Sequence, residues 1–151
     1  MDPAMMKAWG QFGAAAALGL AAAGSAIGSG VAGMASIGAW KKCYAQSKAA
    51  PFILVTFIGA PMSQTIYGFI LMNKMLSLLN AGSVENWGLM LGAGLLGGLG
   101  IGVSAWFQGK AGAAGADALA ETGQGFGNYL MTLGVVETVA LLVMVFTLIN
   151  L

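Results

Sequence analysis

Apolar residues run almost unbroken through four stretches of this chain: Ala8 to Trp40, Ala49 to Asn73, Asn86 to Gly109 and Phe126 to Leu151. The first three contain no charged residue, and the fourth is interrupted once, by Glu137. About 20 mostly apolar residues suffice for a helix to cross the ~30 Å hydrocarbon core of a bilayer. Each stretch therefore predicts one spanning helix, at residues 9–40, 51–79, 86–119 and 125–150. The expected fold class is an all-α membrane protein with four transmembrane helices. Those helices take up nearly all of the sequence and leave no stretch for a soluble catalytic domain or a nucleotide-binding fold.

Composition agrees: 58% of the 151 residues are hydrophobic and only 7% are charged, where a soluble domain carries roughly a quarter. A net charge of +1 offers no basic face or stripe, so nucleic acid is excluded as a partner. With no histidine and one cysteine, Cys43, the usual zinc and haem ligand sets cannot be assembled within one copy. The first apolar run is much longer than the core of a signal peptide and lacks a strongly basic start, so it is expected to be a retained span. Lys41, Lys42 and Lys48 cluster between the first two runs, which by the positive-inside rule places that loop in the cytoplasm. Both termini and the turn from Asn80 to Asn86 then face the other side, and the connection around Asp117 to Gln124 returns to the cytoplasm.

The two halves of the chain resemble one another, and such internal similarity governs how the fold is read. Gly30-x-x-Gly33-x-Ala35 in the first run matches Gly109-x-x-Gly112-x-Ala114 in the third, an offset of 79 residues. Gln64-Thr65 in the second run matches Glu137-Thr138 in the fourth, an offset of 73. The chain thus reads as a duplicated helical hairpin, with residues 1–80 as the first and 81–151 as the second. Runs one and three carry Gly24-x-x-x-Gly28 and Gly94-x-x-x-Gly98-x-x-x-Gly102, a spacing that lets backbones approach closely. They are expected to be inner, tightly packed helices, and the bulkier runs two and four to lie outside them. With 25 glycines, the chain has more than one dimer face requires, which suggests many copies packed in a narrow circle.

Glu137 falls near the centre of its run, where a charged side chain costs about 2.5–3.5 kcal/mol on insertion scales and usually has a function and a partner. The partners on offer are oxygens: Ser63, Gln64, Thr65 and Tyr67 in run two, and Gln108 in run three. Pro61 has no N–H to give the Phe57 carbonyl and tends to kink its helix, loosening nearby carbonyls such as that of Ala60. Glu137, Gln64, Gln108, Ser63 and the Ala60 carbonyl together make a candidate cage for a small hard cation, which prefers oxygen ligands. A monovalent ion would leave the loaded site neutral, whereas the emptied carboxylate must find water or a positive partner. A proton would neutralise Glu137 as well but needs a single acceptor, so the two glutamines favour Na+, with H+ as the alternative.

At these residues the chain resembles the rotor-ring proteolipid (K or c subunit) of V-type ATPases in its duplicated four-helix form. The likeness is carried by Pro61-Met62-Ser63-Gln64-Thr65-Ile66-Tyr67-Gly68-Phe69, by Gln108-Gly109-Lys110-Ala111 with Ala113-Ala114-Gly115, and by Val136-Glu137-Thr138. It implies a homo-oligomeric ring that carries ions on Glu137 as it turns, coupled to ATP hydrolysis or synthesis elsewhere in the complex. The subunit itself is non-catalytic. The sodium-translocating bacterial members imply ligand roles for Ser63, Gln64, Gln108, Glu137 and the Ala60 carbonyl, with the Tyr67 hydroxyl bonding the glutamate. Ser63 stands where threonine is more usual, and Ala60 replaces a larger residue, yet neither change removes an oxygen. The implied partners are further copies in the ring, a stator membrane subunit supplying the arginine this chain lacks, central-stalk subunits at the cytoplasmic loops, and membrane lipid. The implied location is a bacterial cell membrane. A small four-helix multidrug or cation exporter is the rival reading; it explains Glu137 but neither the repeat nor the clustered glutamines.

Overall fold

The computed structural model describes residues Met1–Leu151 and is helical throughout, with no strand. Four helices are long and apolar enough to cross a membrane: α1 (Pro3–Ala45), α2 (Phe52–Asn80), α3 (Val84–Thr122) and α4 (Phe126–Asn150). α1 runs beyond both ends of its apolar stretch. Pro3 occupies the first turn, where its missing N–H and fixed φ suit a helix start. At the other end Lys41, Lys42 and Cys43, expected to lie in a loop, form the closing turns, because polar residues leave the hydrocarbon without leaving the helix. Asp117 and Glu121 are likewise helical, and the α3–α4 connection shrinks to Gly123-Gln124-Gly125. Both of those glycines have positive φ, +69° and +87°, a conformation that costs a Cβ-bearing residue.

α1 and α3 pack side by side in parallel, as two hairpins laid together require. Gly13 meets Gly94, Gly24 meets Gly102 and Gly28 meets Gly109, with no space for a Cβ at any of these crossings. At the far end the Lys42 ammonium lies 2.8 Å from the Asp117 carboxylate, and Cys43 is buried with its thiol 3.9 Å from the Ala120 carbonyl. The small residues thus occupy the place expected of them. α4 is the least enclosed element, burying only Leu133 and Ala140.

Two apolar clusters hold the bundle. One gathers Ala14, Ala17, Ala21, Leu71, Met75, Leu79, Met90, Ile101 and Ala140; the other, toward the Lys42 end, gathers Ala39, Leu54, Phe57, Ala116, Leu119 and Leu133. Between them α2 tightens into a 3-10 turn at Ala60–Met62, the place where Pro61 withholds its N–H. α3 loosens into a π turn at Ala93–Gly97, a departure nothing in the apolar pattern announced. The layer separating the clusters is polar.

Candidate functional site

Leu133 and Ala140 are seven residues apart on one face of α4, and Glu137 lies between them, half-buried. Because both flanking residues pack inward, the carboxylate is turned toward α2 and α3. Its Oε1 accepts a hydrogen bond from the Tyr67 hydroxyl at 2.6 Å, and its Oε2 accepts one from Gln108 Nε2 at 3.1 Å. No cation pairs with it; the one ion pair of the chain is Lys42 with Asp117.

Gln108 is the hub. It is 1% exposed, and its amide nitrogen also donates to the Leu133 carbonyl at 3.1 Å, so both of its hydrogens are used. Its oxygen accepts from Gln64 Nε2 at 2.6 Å. Gln64, fully buried, presents its own oxygen 3.1 Å from Ser63 Oγ. The same hydroxyl lies 3.1 Å from the Ala60 carbonyl, and with one proton to give, it serves one of these two oxygens at a time. Ala60, Ser63, Gln64, Gln108, Glu137 and Tyr67 are therefore joined in one chain of hydrogen bonds. The 3-10 turn positions its α2 end, since the residues after Pro61 start a fresh helical segment at Ser63 that aims Gln64 and Tyr67 along one face.

Thr65, also among the oxygens on offer, is not part of this cluster; it lines a separate groove with Ser25, Ser29 and Met62. Ser104 is a residue the sequence reading passed over. Its hydroxyl donates to the Val136 carbonyl at 2.9 Å, tying α3 to α4 directly beside the acid. The signal was available, because Ser104 precedes Gln108 by four residues and so shares its helix face.

The donor set is all oxygen and amide with a single carboxylate, and nowhere do three His, Cys, Asp or Glu side chains come together. Such a set cannot balance a divalent or transition metal, but it matches the charge of one monovalent cation or one proton. A cation taken here would compete with Gln64 Nε2 for the Gln108 oxygen and with Gln108 Nε2 for the carboxylate, so loading requires the amides to turn.

Residues 91–150 match the family of the ATP synthase C subunit. The K subunit of the A-type ATP synthase of Methanocaldococcus jannaschii is 34% identical to this chain over 141 residues, which is 93% of this chain and 59% of that protein. The chain thus spans about three fifths of the relative's length. The family match lies in the second hairpin and includes both Gln108 and Glu137.

Proposed function

We propose that this chain, whose residues 91–150 match the ATP synthase C-subunit family and which is 34% identical to an A-type ATP synthase K subunit, forms part of a rotor ring and carries Na+ on Glu137. Subunits of this kind are non-catalytic, so the functional question is what this carboxylate holds and how it lets go. The observation that carries the reading is the line of oxygens from Ala60 to Glu137, bound through Ser63, Gln64 and Gln108.

A carboxylate and one Na+ sum to zero, so a loaded site can face lipid without the penalty of a bare charge. Four further oxygens, from Ala60, Ser63, Gln64 and Gln108, replace the water that a hard cation leaves behind. Tyr67 holds the carboxylate in place by its hydroxyl. Once the ion departs, the charge on Glu137 needs a cation to answer it. This chain has no arginine, so a neighbouring stator subunit supplies that charge in this reading. Rotation then moves each loaded site from one access path to the other, driven by ATP hydrolysis or driving ATP synthesis. The lysines at the Lys42 end, by the positive-inside rule, put that end in the cytoplasm, where central-stalk subunits would engage it, and both termini outside. The relative is archaeal and A-type; the likeness to bacterial V-type rings supports the choice of ion alone.

The test uses a carbodiimide, which attacks protonated carboxyl groups. In membranes holding the assembled protein, Glu137 should be labelled, and added Na+ at fixed pH should slow the labelling by displacing the proton. Labelling indifferent to Na+ makes this a proton ring. Glu137→Gln should abolish ion pumping; retained pumping removes Glu137 from the mechanism altogether.

A further inference from the structure

A serine or threonine hydroxyl inside a helix readily folds back onto the carbonyl one turn earlier. Ser36, Thr122, Thr132 and Thr138 do so, each donating to the residue four positions before it. Two hydroxyls cross to another helix instead. Tyr67 reaches the Glu137 carboxylate, and Ser104 reaches the carbonyl of Val136, the residue just before the acid, at 2.9 Å. The backbone of its own helix was available to Ser104 one turn back, at Gly100, and it is not what the hydroxyl bonds.

The crossing bond falls where α4 has little else to hold it. Toward the Lys42 end α4 is fastened by bulk, with the Phe126 and Tyr129 rings 5.8 and 6.5 Å from that of Phe57. Beside the acid only Leu133 and Ala140 are buried. There α3 grips α4 by its backbone. Ser104 takes the Val136 carbonyl, and Gln108, one turn along the same face of α3, takes the Leu133 carbonyl at 3.1 Å. The two bonds bracket the turn of α4 that leads into Glu137, so together they set its height against α3 and its rotation.

Loading affects the two bonds differently. Gln108 Nε2 also donates to the carboxylate, and its amide has to turn when a cation takes that place, which interrupts its hold on Leu133. Ser104 bonds neither the carboxylate nor any other member of the oxygen line, so its grip persists while the amides move.

The internal repeat supplies a contrast. The offset of 79 carries Ser25 to Ser104, and the offset of 73 carries Ser63 to Val136. The equivalent bond would therefore run from Ser25 to the Ser63 carbonyl. It is not made: Ser25 is 5% exposed, as Ser104 is, and its hydroxyl has no partner. Gln64 stands in that hairpin where Glu137 stands in the other. The hairpin without the acid holds together without the bond.

We propose that Ser104 is a positioning residue for the ion carrier, holding α4 through the Val136 carbonyl so that Glu137 keeps its place against Tyr67 and Gln108 both loaded and empty. This rests on the reading of Glu137 as the carrier.

The test uses native membranes holding the assembled protein and the carbodiimide reaction at Glu137. In Ser104→Ala the Na+ concentration that half-protects Glu137 should rise by about three- to tenfold, the range expected for one lost hydrogen bond between membrane helices. Ser104→Thr, which keeps the hydroxyl, should recover most of the protection. Ser36→Ala removes another buried hydroxyl, one that bonds only its own helix, and should leave protection unchanged. Protection unaltered in Ser104→Ala, or lowered equally by Ser36→Ala, overturns the proposal, as does a threonine variant no better than the alanine one. A readout without Na+ separates this from the choice of ion. In Na+-free buffer at fixed pH, Ser104→Ala should be labelled faster than the parent, because a carboxyl less firmly held by its two donors is more often within reach of the reagent. Faster labelling in a protein whose parent ignores Na+ keeps Ser104 as positioning residue and removes Na+ as the cargo. Sodium protection that is identical in parent and Ser104→Ala does the reverse.

Discussion

An ionised acid in the middle of a membrane helix costs about 2.5–3.5 kcal/mol, and a hydrogen bond to a charged group returns about 1.5–3 kcal/mol. The two bonds that Glu137 accepts, from Tyr67 and Gln108, therefore offset much of that cost and fix where the carboxylate sits, while its charge is left to be answered by what it carries. Removing one donor should weaken the site without dismantling it. Tyr67→Phe keeps the ring and loses the hydroxyl, and the Na+ concentration that half-protects Glu137 from the carbodiimide should rise roughly tenfold or more, at about 1.4 kcal/mol per factor of ten. Thr132→Val, on an exposed face of α4 where the hydroxyl bonds only its own helix, should leave protection unchanged. The residues that gather around Glu137 stood out in the sequence because, Ala60 apart, each is a polar residue where apolar ones surround it. What could not be read was connection: the sequence does not say which amide oxygen faces which nitrogen, that Gln108 rather than Gln64 touches the acid, or that Thr65 turns to the other side of α2. Those follow from the rotational setting of the helices, which packing decides.

Among the elements, α1 and α3 show how sharply small residues matter. A Cβ on Gly24 would collide with the backbone of Gly102, and backbone cannot swing away as a side chain can. Gly24→Ala should accordingly lower the thermal stability of the detergent-solubilised protein, since overpacking of this sort costs about 1–3 kcal/mol, even though alanine is the better helix former by about 1 kcal/mol. Gly127→Ala, where nothing lies within 4 Å, should instead be neutral or slightly stabilising in the same melt. Element type followed from the length of the apolar runs, and the irregular turn in α2 from Pro61. Element ends did not. Hydropathy marks where a helix enters water, whereas the ends of α1 and α3 are set by Pro3 and by the positive-φ Gly123. The π turn at Ala93–Gly97 had no signal, because a run of Gly, Ala and Leu fits either helix geometry.

At the scale of the molecule, a polar layer lies between two apolar clusters and is built from both hairpins: α2 gives Tyr67 and Gln64, while α3 and α4 give Gln108 and Glu137. The duplication was visible in the two offsets, yet a repeat by itself does not reveal that the halves share one site. The hairpins are joined by a short turn, Ala81 to Ser83, with Gly82 at φ +102°. Its sequence should matter little. Loop closure costs only about 0.6 kcal/mol per doubling of length, so inserting four Gly/Ser residues after Gly82 should leave the amount of detergent-resistant oligomer on a gel unchanged. That turn nevertheless has a consequence for how the proposed ring would be made. Two joined hairpins face each other at an effective concentration on the order of millimolar, whatever the abundance of the protein in its membrane. In the ring proposed above, every second junction would then form before any stranger is encountered, and only the alternate ones would wait on lateral diffusion.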